Sequence, residues 1–425
     1  MGNVRVDSTV AQCARVTHSR RYRGNHENHS GRAGSGPAER GSTMTSVNVD
    51  RTESVSEEEL TALRGTIRDF LVKHSSEQVA RNLTDGRDPA HGRAALWTRL
   101  QDELGLVSLV LPVQYGGDDA GYAVLRVVLE EHGRALLAGP FLASAVTATA
   151  TLLACGDDEA CARYLPGIGS GETVATAALP VFGQDQEPEE LGLRADQDGA
   201  GSWTLTGTEW SVPSAVGANL FLLVAATPEG RSLFAVESGA AGLSVTGSDT
   251  LDRTRPVGRV DLDGAPARLL GKPGAAATAV EHALDVTAFA LAAEQVGAAR
   301  RCLEATLEYA RERRQFGRPI GSFQAVKHRL ADMLTRLELA DAATEEAALT
   351  ADRGDPTFSA AAHIAFISAS DAFQFVTTEM IQLHGGIGFT WEHAAHRYFR
   401  RAKSSENALG GPTRNHERLM TRLDL

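Results

Sequence analysis

The chain has 425 residues, 42% of them hydrophobic, and 42 basic against 54 acidic side chains give it a formal charge of −12. That length allows two or three domains around a large core. The acidic balance argues against a nucleic-acid binder, which needs clustered Lys and Arg on a net basic face.

No run approaches the roughly 18 to 20 uninterrupted apolar residues of a membrane helix, so the expected partner is metabolite-sized, with no nucleic acid and no membrane. Cys13, Cys155, Cys161 and Cys302 are too scattered for a disulfide framework or a CxxC metal site and read as reduced thiols. No His, Cys, Asp or Glu spacing suggests a metal. Only four of the basic residues are lysine, which reads as the codon bias of a GC-rich bacterial genome.

Residues 1–43 are rich in Arg, Gly and Ser and lack the apolar core of a secretory signal. They read as a disordered extension ahead of a true start at Met44. From Ser56 the pattern turns helical: Ser56 is a candidate N-cap, acids fill the first turn, and Leu60, Leu63, Ile67, Phe70 and Leu71 follow at helical spacing. An N-terminal α-helical domain is expected over 51–168. The period then falls to two in "GSWTLTGTEWSVPSA", "NLFLLVAAT", "RSLFAVES", "LSVTGSD" and "VGRVDLDG", predicting a middle antiparallel β domain over 170–272. Helices return in a C-terminal four-helix bundle over 276–425. Its first helix carries Phe289, Ala293, Val296, Ala299, Leu303, Leu307 and Ala310 as one buried stripe.

Two motifs join bundle helices. "RERRQFG" clusters guanidiniums, whose planar forks match phosphate oxygens, at a helix end, although such a run also suits a solvated basic helix terminus. "GGIG" lets a ligand approach the backbone closely because no Cβ intervenes, although a glycine turn is also an ordinary loop. In their wider contexts, "YARERRQFGRPIGSFQAVKHRLADM" and "QLHGGIGFTWEHAAHRYFRRAK" resemble the acyl-CoA dehydrogenase family. So do "DELGLVSLVLPVQYGG" and "EEHGRALLAGPF", and the likeness covers nearly everything after Met44.

The resemblance implies that both motifs cross a subunit interface to an FAD seated in a neighbouring subunit. The matching positions are Arg313 and Phe316, Gln324 just beyond, and Gln382 with Gly386. Arg313 would hold the pyrophosphate, Gln324 would lie near the adenosine, and Gln382 with Gly386 would meet the chain between ribityl and adenine.

The family's reaction removes a proton α to a thioester carbonyl while hydride leaves the β carbon, and it needs a carboxylate base. In most members a glutamate stands where this chain has Leu409. In a minority it stands where this chain has Thr287, followed by Ala288. "TAALPVFGQDQEP" (176–188) replaces the family's Thr-Glu-Pro and Gly-Ser-Asp pattern. Ser211 and Pro213 replace a Trp and a Thr against the flavin, and Gly411 and Thr413 replace polar groups after the catalytic turn. Glu294 is a weak candidate for a substitute base. Glu392, His393 and His384 read as structural residues of a loop-to-helix junction.

The expected protein is therefore a cytoplasmic subunit of a heteromeric α2β2 enzyme acting on an acyl-CoA, with steroid side chains or other bulky acyl groups as the substrate class. A related catalytic subunit would carry flavin and base, and electrons would pass to an electron-transferring flavoprotein. Two alternatives stand beside it: a stand-alone flavoprotein of the same fold with oxygenase-type chemistry, and a non-catalytic assembly or regulatory subunit.

Overall fold

The computed structural model describes residues 55–75, 79, 81–82, 89–179 and 192–423. The expectations for residues 1–43, for Met44 and for most of the 176–188 stretch lie outside it.

Helix α1 (Glu57–His74) begins in a capping box: the Ser56 hydroxyl accepts from the Glu59 amide, and the Glu59 carboxylate accepts from the Ser56 amide at 2.9 Å. Leu63, Ile67, Phe70 and Leu71 are buried as the spacing requires. After α2 (Pro89–Leu104) comes α3 (Tyr122–Arg134), whose first amides, Tyr122 and Ala123, donate to the Asp352 carboxylate at 2.7 and 2.9 Å. A distant acid thus caps α3 where Gly121 offers no side chain. A π-helical stretch, Leu142–Ala148, runs into α4 (Thr149–Ala154), and α5 (Asp158–Gly169) closes the helical layer with Asp157 as its N-cap.

Among the described residues seven strands form one sheet: β1 (Ala175–Ala178), β2 (Leu193–Gln197), β3 (Trp203–Pro213), β4 (Leu220–Thr227), β5 (Gly230–Glu237), β6 (Leu243–Gly247) and β7 (Val257–Leu270). The order β4-β2-β3-β7-β5 returns to β4, and this closure protects the edges. The pairings are antiparallel except at β4, which β1 meets in parallel from Ala175↔Leu220 to Ala178↔Leu223, and β2 at Arg194↔Ala226. Phe221, Leu223, Phe234, Val236 and Leu205 fill the interior.

Helix α6 (Ala276–Glu312) leads α7 (Gln324–Arg353), α8 (Phe358–His384), α9 (Ala395–Glu406) and α10 (Gly411–Arg422). The single stripe expected on α6 understates its burial, because every residue from Ala283 to Ala299 is buried. The helix runs through the centre and has no solvent face there. It is long and apolar enough to cross a membrane, but its most apolar window is 78% buried inside the protein, as for a core helix.

The crossing of α3 and α6 depends on two glycines. A Cβ on Gly133 would stand 1.8 Å from the Glu294 carbonyl oxygen, and one on Gly297 would stand 1.9 Å from that of Glu130. The backbones therefore touch at distances no side chain permits.

Candidate functional site

The two motifs leave the bundle at one end. In the last turn of α6, Tyr309 stacks on His384 in the last turn of α8 at 4.3 Å, and its hydroxyl donates to the His384 carbonyl at 3.4 Å. His384 is a packed structural residue, with Nδ1 donating to the Met380 carbonyl at 2.7 Å, and burial lowers its ring's proton affinity. His393 lies 4.4 Å from His384 and accepts from the Ala395 amide at 3.2 Å, satisfying the start of α9. The Glu392 backbone carbonyl accepts from Arg81.

Arg313 is the C-cap of α6 and turns the chain into extended conformation. A two-residue ladder then pairs Arg314 with Pro319 and Gln315 with Arg318. The tip is Phe316-Gly317, both at positive φ (55° and 78°). Phe316 is 92% exposed, an unusual combination of strained backbone and unburied ring. Gln324 opens α7, with its amide 3.0 Å from the His328 ring. Gln382 and Gly386 are exposed at the end of α8, and Phe389 beyond them is 83% exposed. Arg313, Phe316, Gln324, Gln382 and Gly386 thus belong to one end of the bundle, and all but Gln324 flank its two helix-to-loop exits.

Both positions where the resemblance calls for a base lie deeper. Leu409 sits in the turn between α9 and α10 with φ 54° and ψ 30°, followed by Gly410 (φ 89°) and Gly411 (φ 80°). Its side chain packs between the bundle core and the cluster joining α5, β1, β4 and β5. The Arg418 guanidinium donates to the Leu409 carbonyl at 2.6 Å, and Asn415 donates to the Gly411 carbonyl at 2.7 Å, so α10 fixes the turn. Thr287 is buried on α6, donates to the Ala283 carbonyl at 2.6 Å, and meets the Thr147 hydroxyl at 2.9 Å. Neither side chain can ionise at neutral pH.

Glu294, weighed as a substitute base, belongs to a buried quartet instead. Its carboxylate pairs with Arg255 and lies 3.8 Å from the Arg401 guanidinium. Arg401 in turn donates to Asp252 at 2.6 Å and to the Thr254 hydroxyl at 2.6 Å, and Arg255 donates to Ser405 at 3.1 Å. Burial alone would push the Asp252 carboxyl up, but Arg401, Thr254 and Arg255 outweigh it and hold it below the usual carboxylate range. The quartet ties the β6–β7 loop to α6 and to α9, the helix that carries the Leu409 turn. Sequence reasoning missed this quartet, although arginines at positions 397 and 401, on the same face as Ala395, Tyr398 and Ala402, were an available sign. A charge among core positions requires a buried counter-ion.

In the β domain a bulge between Glu209 and Val212 throws Trp210 and Ser211 outward, and Ser211 has φ 60°. The Pro213 carbonyl accepts from the Thr176 hydroxyl at 2.5 Å, and proline offers no N–H to a ligand. Among the described residues no charge shifts Glu209, and burial raises its carboxyl to about 7.

Comparison with known proteins matches residues 57–172 to "Acyl-CoA dehydrogenase, N-terminal domain" and residues 277–422 to "Acyl-CoA dehydrogenase, C-terminal domain". The chain belongs to the acyl-CoA dehydrogenase family. It is 33% identical over 365 residues to the acyl-CoA dehydrogenase IpdE2 of Mycolicibacterium smegmatis, covering 85% of this chain and 98% of that one. The acyl-CoA dehydrogenase FadE27 of Mycobacterium tuberculosis is 36% identical over 330 residues, 75% of this chain and 85% of its own.

Among solved structures, a variant of the Tcur3481-Tcur3483 steroid ACAD aligns with a TM-score of 0.76 at 36% identity, covering 86% of this chain and 98% of the other. The ChsE4-ChsE5 complex of Mycobacterium tuberculosis aligns at 0.76 and 30% identity, covering 87% and 98%. The helix, sheet, helix layout read from the sequence is the family's fold.

Proposed function

We propose that this chain is the non-catalytic partner in a heteromeric acyl-CoA dehydrogenase and completes, from across the interface, an FAD site whose flavin and base belong to a related subunit. The carrying observation is an asymmetry. Residues directed outward from the bundle end suit a cofactor, and positions that would serve a flavin or base within the chain do not.

The outward set fits the adenosine pyrophosphate half of FAD. Arg313 offers two parallel N–H donors to phosphate oxygens, and the Gln324 and Gln382 amides donate and accept. A Cβ on Gly386 would meet nothing within 4 Å, and its φ is not positive. Nothing among the described residues therefore demands glycine there, and the open space leaves room for close approach by a ligand. The inward set does not fit. Leu409 and Thr287 cannot take a proton from carbon, and Ser211 and Pro213 offer an outward bulge and a missing N–H. FAD, when bound, supplies the hydride acceptor for α,β-desaturation. This chain's part is to bind and orient.

Two neighbours described by paired names, ChsE4-ChsE5 and Tcur3481-Tcur3483, support a two-chain assembly; α2β2 stoichiometry and a cytoplasmic location are part of the proposal itself. The second is called a steroid ACAD, which supports a CoA thioester of a bulky, steroid-derived acyl group. An electron-transferring flavoprotein is the proposed electron acceptor.

Co-expression with a related subunit that retains the glutamate, followed by flavin quantitation per chain, tests the reading. The isolated chain is expected to be colourless and the complex yellow. Arg313→Ala should weaken FAD retention roughly 10- to 100-fold, the loss of a charge-assisted pair of hydrogen bonds, with the heteromer intact. Unchanged flavin content in that variant would favour a purely assembling role. One FAD per chain in the partnerless protein, with desaturation of an acyl-CoA, overturns the proposal.

A further inference from the structure

We propose that Tyr309 is a positioning residue for the FAD site: by stacking on His384 it fixes the spacing of Arg313 and Gln382, which stand at the ends of different helices. The inference rests on the proposed function and adds to that site a residue that acts through others.

Arg313 follows α6 and Gln382 lies in the last turn of α8. Two groups that meet one rigid ligand need a fixed separation, so something must lock the two helix ends together. The Tyr309 ring lies 4.3 Å from that of His384 and within 24° of parallel, and its hydroxyl donates to the His384 carbonyl at 3.4 Å. On the α6 side the Tyr309 carbonyl accepts the Arg313 amide at 2.8 Å, so the backbone at Arg313 is tied to the residue that carries the ring. On the α8 side His384 stands two positions after Gln382 and two before Gly386.

His384 is itself held. Its Nδ1 bonds to the Met380 carbonyl at 2.7 Å, the His393 ring lies 4.4 Å away, and a Cβ on Gly388 would stand 3.1 Å from its own Cβ. The "GGIG" loop therefore closes onto this side chain. The ring is a fixed surface, and Tyr309 passes its place to α6. A site whose supporting contacts loosen by about 1 Å loses affinity although every group that meets the ligand remains.

The co-expressed complex, stripped of flavin and titrated with FAD, provides the assay. Tyr309→Leu should weaken FAD binding about tenfold with the heteromer assembled, and Tyr309→Phe, which restores the ring, should recover most of that binding. His384→Gln removes the ring from the other side and keeps a donor for the Met380 carbonyl, so it should match Tyr309→Leu. In an Arg313→Ala background Tyr309→Leu should cost less than about threefold more, because the group it places is gone; a merely structural role would repeat the full loss.

Arg313→Ala weakening FAD while an assembled Tyr309→Leu complex binds it like wild type overturns this inference alone. So does a full additive loss in the Arg313→Ala background, a Tyr309→Phe complex as weak as Tyr309→Leu, or failure of both Tyr309→Leu and His384→Gln to assemble. FAD binding unchanged in Arg313→Ala as well as in Tyr309→Leu overturns the proposed function with it.

Discussion

Glu294→Gln keeps the shape of the buried quartet and removes one of its four charges. Asp252 and Glu294 balance Arg255 and Arg401, and the Asp252 and Arg401 side chains are each only 3% exposed. At 3.8 Å and an effective dielectric near 20, one pair attracts by about 4 kcal/mol, and the closer Arg255 pair contributes at least as much. Relief from burying the carboxylate returns several kcal/mol. The net loss expected from removing one partner of a buried pair is therefore about 3–5 kcal/mol, or a fall of roughly 10 °C in Tm for a domain of the bundle's size.

Urea denaturation, monitored by far-UV circular dichroism, reads the loss as a lower midpoint at unchanged slope. Replacing the pair together, Glu294→Leu with Arg255→Met, should recover most of it, because the stranded guanidinium leaves with the carboxylate. A loss below about 1 kcal/mol in Glu294→Gln would refute the network reading. So would a normal midpoint combined with a 100-fold fall in the heteromer's turnover, which would return Glu294 to the role of a base.

His132 is fully buried, stands edge-on to Phe141 at 4.5 Å, and has no hydrogen-bond partner for either ring nitrogen among the described residues; burial lowers its pKa to about 3. The unfolded chain therefore binds a proton that the folded chain refuses between about pH 6.5 and 3, so stability should fall with falling pH by up to ~1.4 kcal/mol per unit. His132→Phe should flatten that slope and keep stability at pH 7, both read from denaturation midpoints across the range. Gly297→Ala must push α3 and α6 apart, and a loss of about 3 kcal/mol or more, or no soluble protein, is expected in the same assay. Leu409→Glu should confer no acyl-CoA desaturation on the isolated chain, since a base contributes only about 10²- to 10⁴-fold and, on the proposed function, the flavin seat belongs to the partner. It should also lower the melting temperature, because a carboxylate would enter an apolar seam.

The elements built from short-range pattern were legible. Ser56 and Glu59 announced α1, and the alternating runs announced β3 to β7, because capping and face alternation are properties of neighbouring residues. Strand β1 was not legible as a strand: "ATAA" carries no alternation and gains its identity only from parallel pairing with β4, more than forty residues on. The α6 stripe was read one-sided because a 3.6 period identifies a buried face without showing that the other faces also meet helices. The quartet escaped for the same reason. Asp252 and Arg401 stand 149 positions apart, and nothing local to either marks the other as its counter-ion.

The "GGIG" motif shows how far sequence reading of a site can go before packing must decide. Its glycines look equivalent as letters, yet three different physical demands act on them. Gly385 has φ 62°, which ends α8. Gly388 is buried, and a Cβ there would stand 2.8 Å from the Ile381 carbonyl oxygen, so this chain's own packing requires it. Gly386 meets neither demand. A glycine that the fold does not need costs roughly 0.5–1 kcal/mol relative to alanine within regular structure, and at Gly386 the proposed close approach of FAD would offset that cost. Phe316 likewise takes a left-handed backbone and 92% exposure, with an edge contact to Phe323 at 6.1 Å as its ring contact among the described residues. Both residues occupy the end of the bundle where Arg313 leaves its helix, the end that the proposed second subunit would cover.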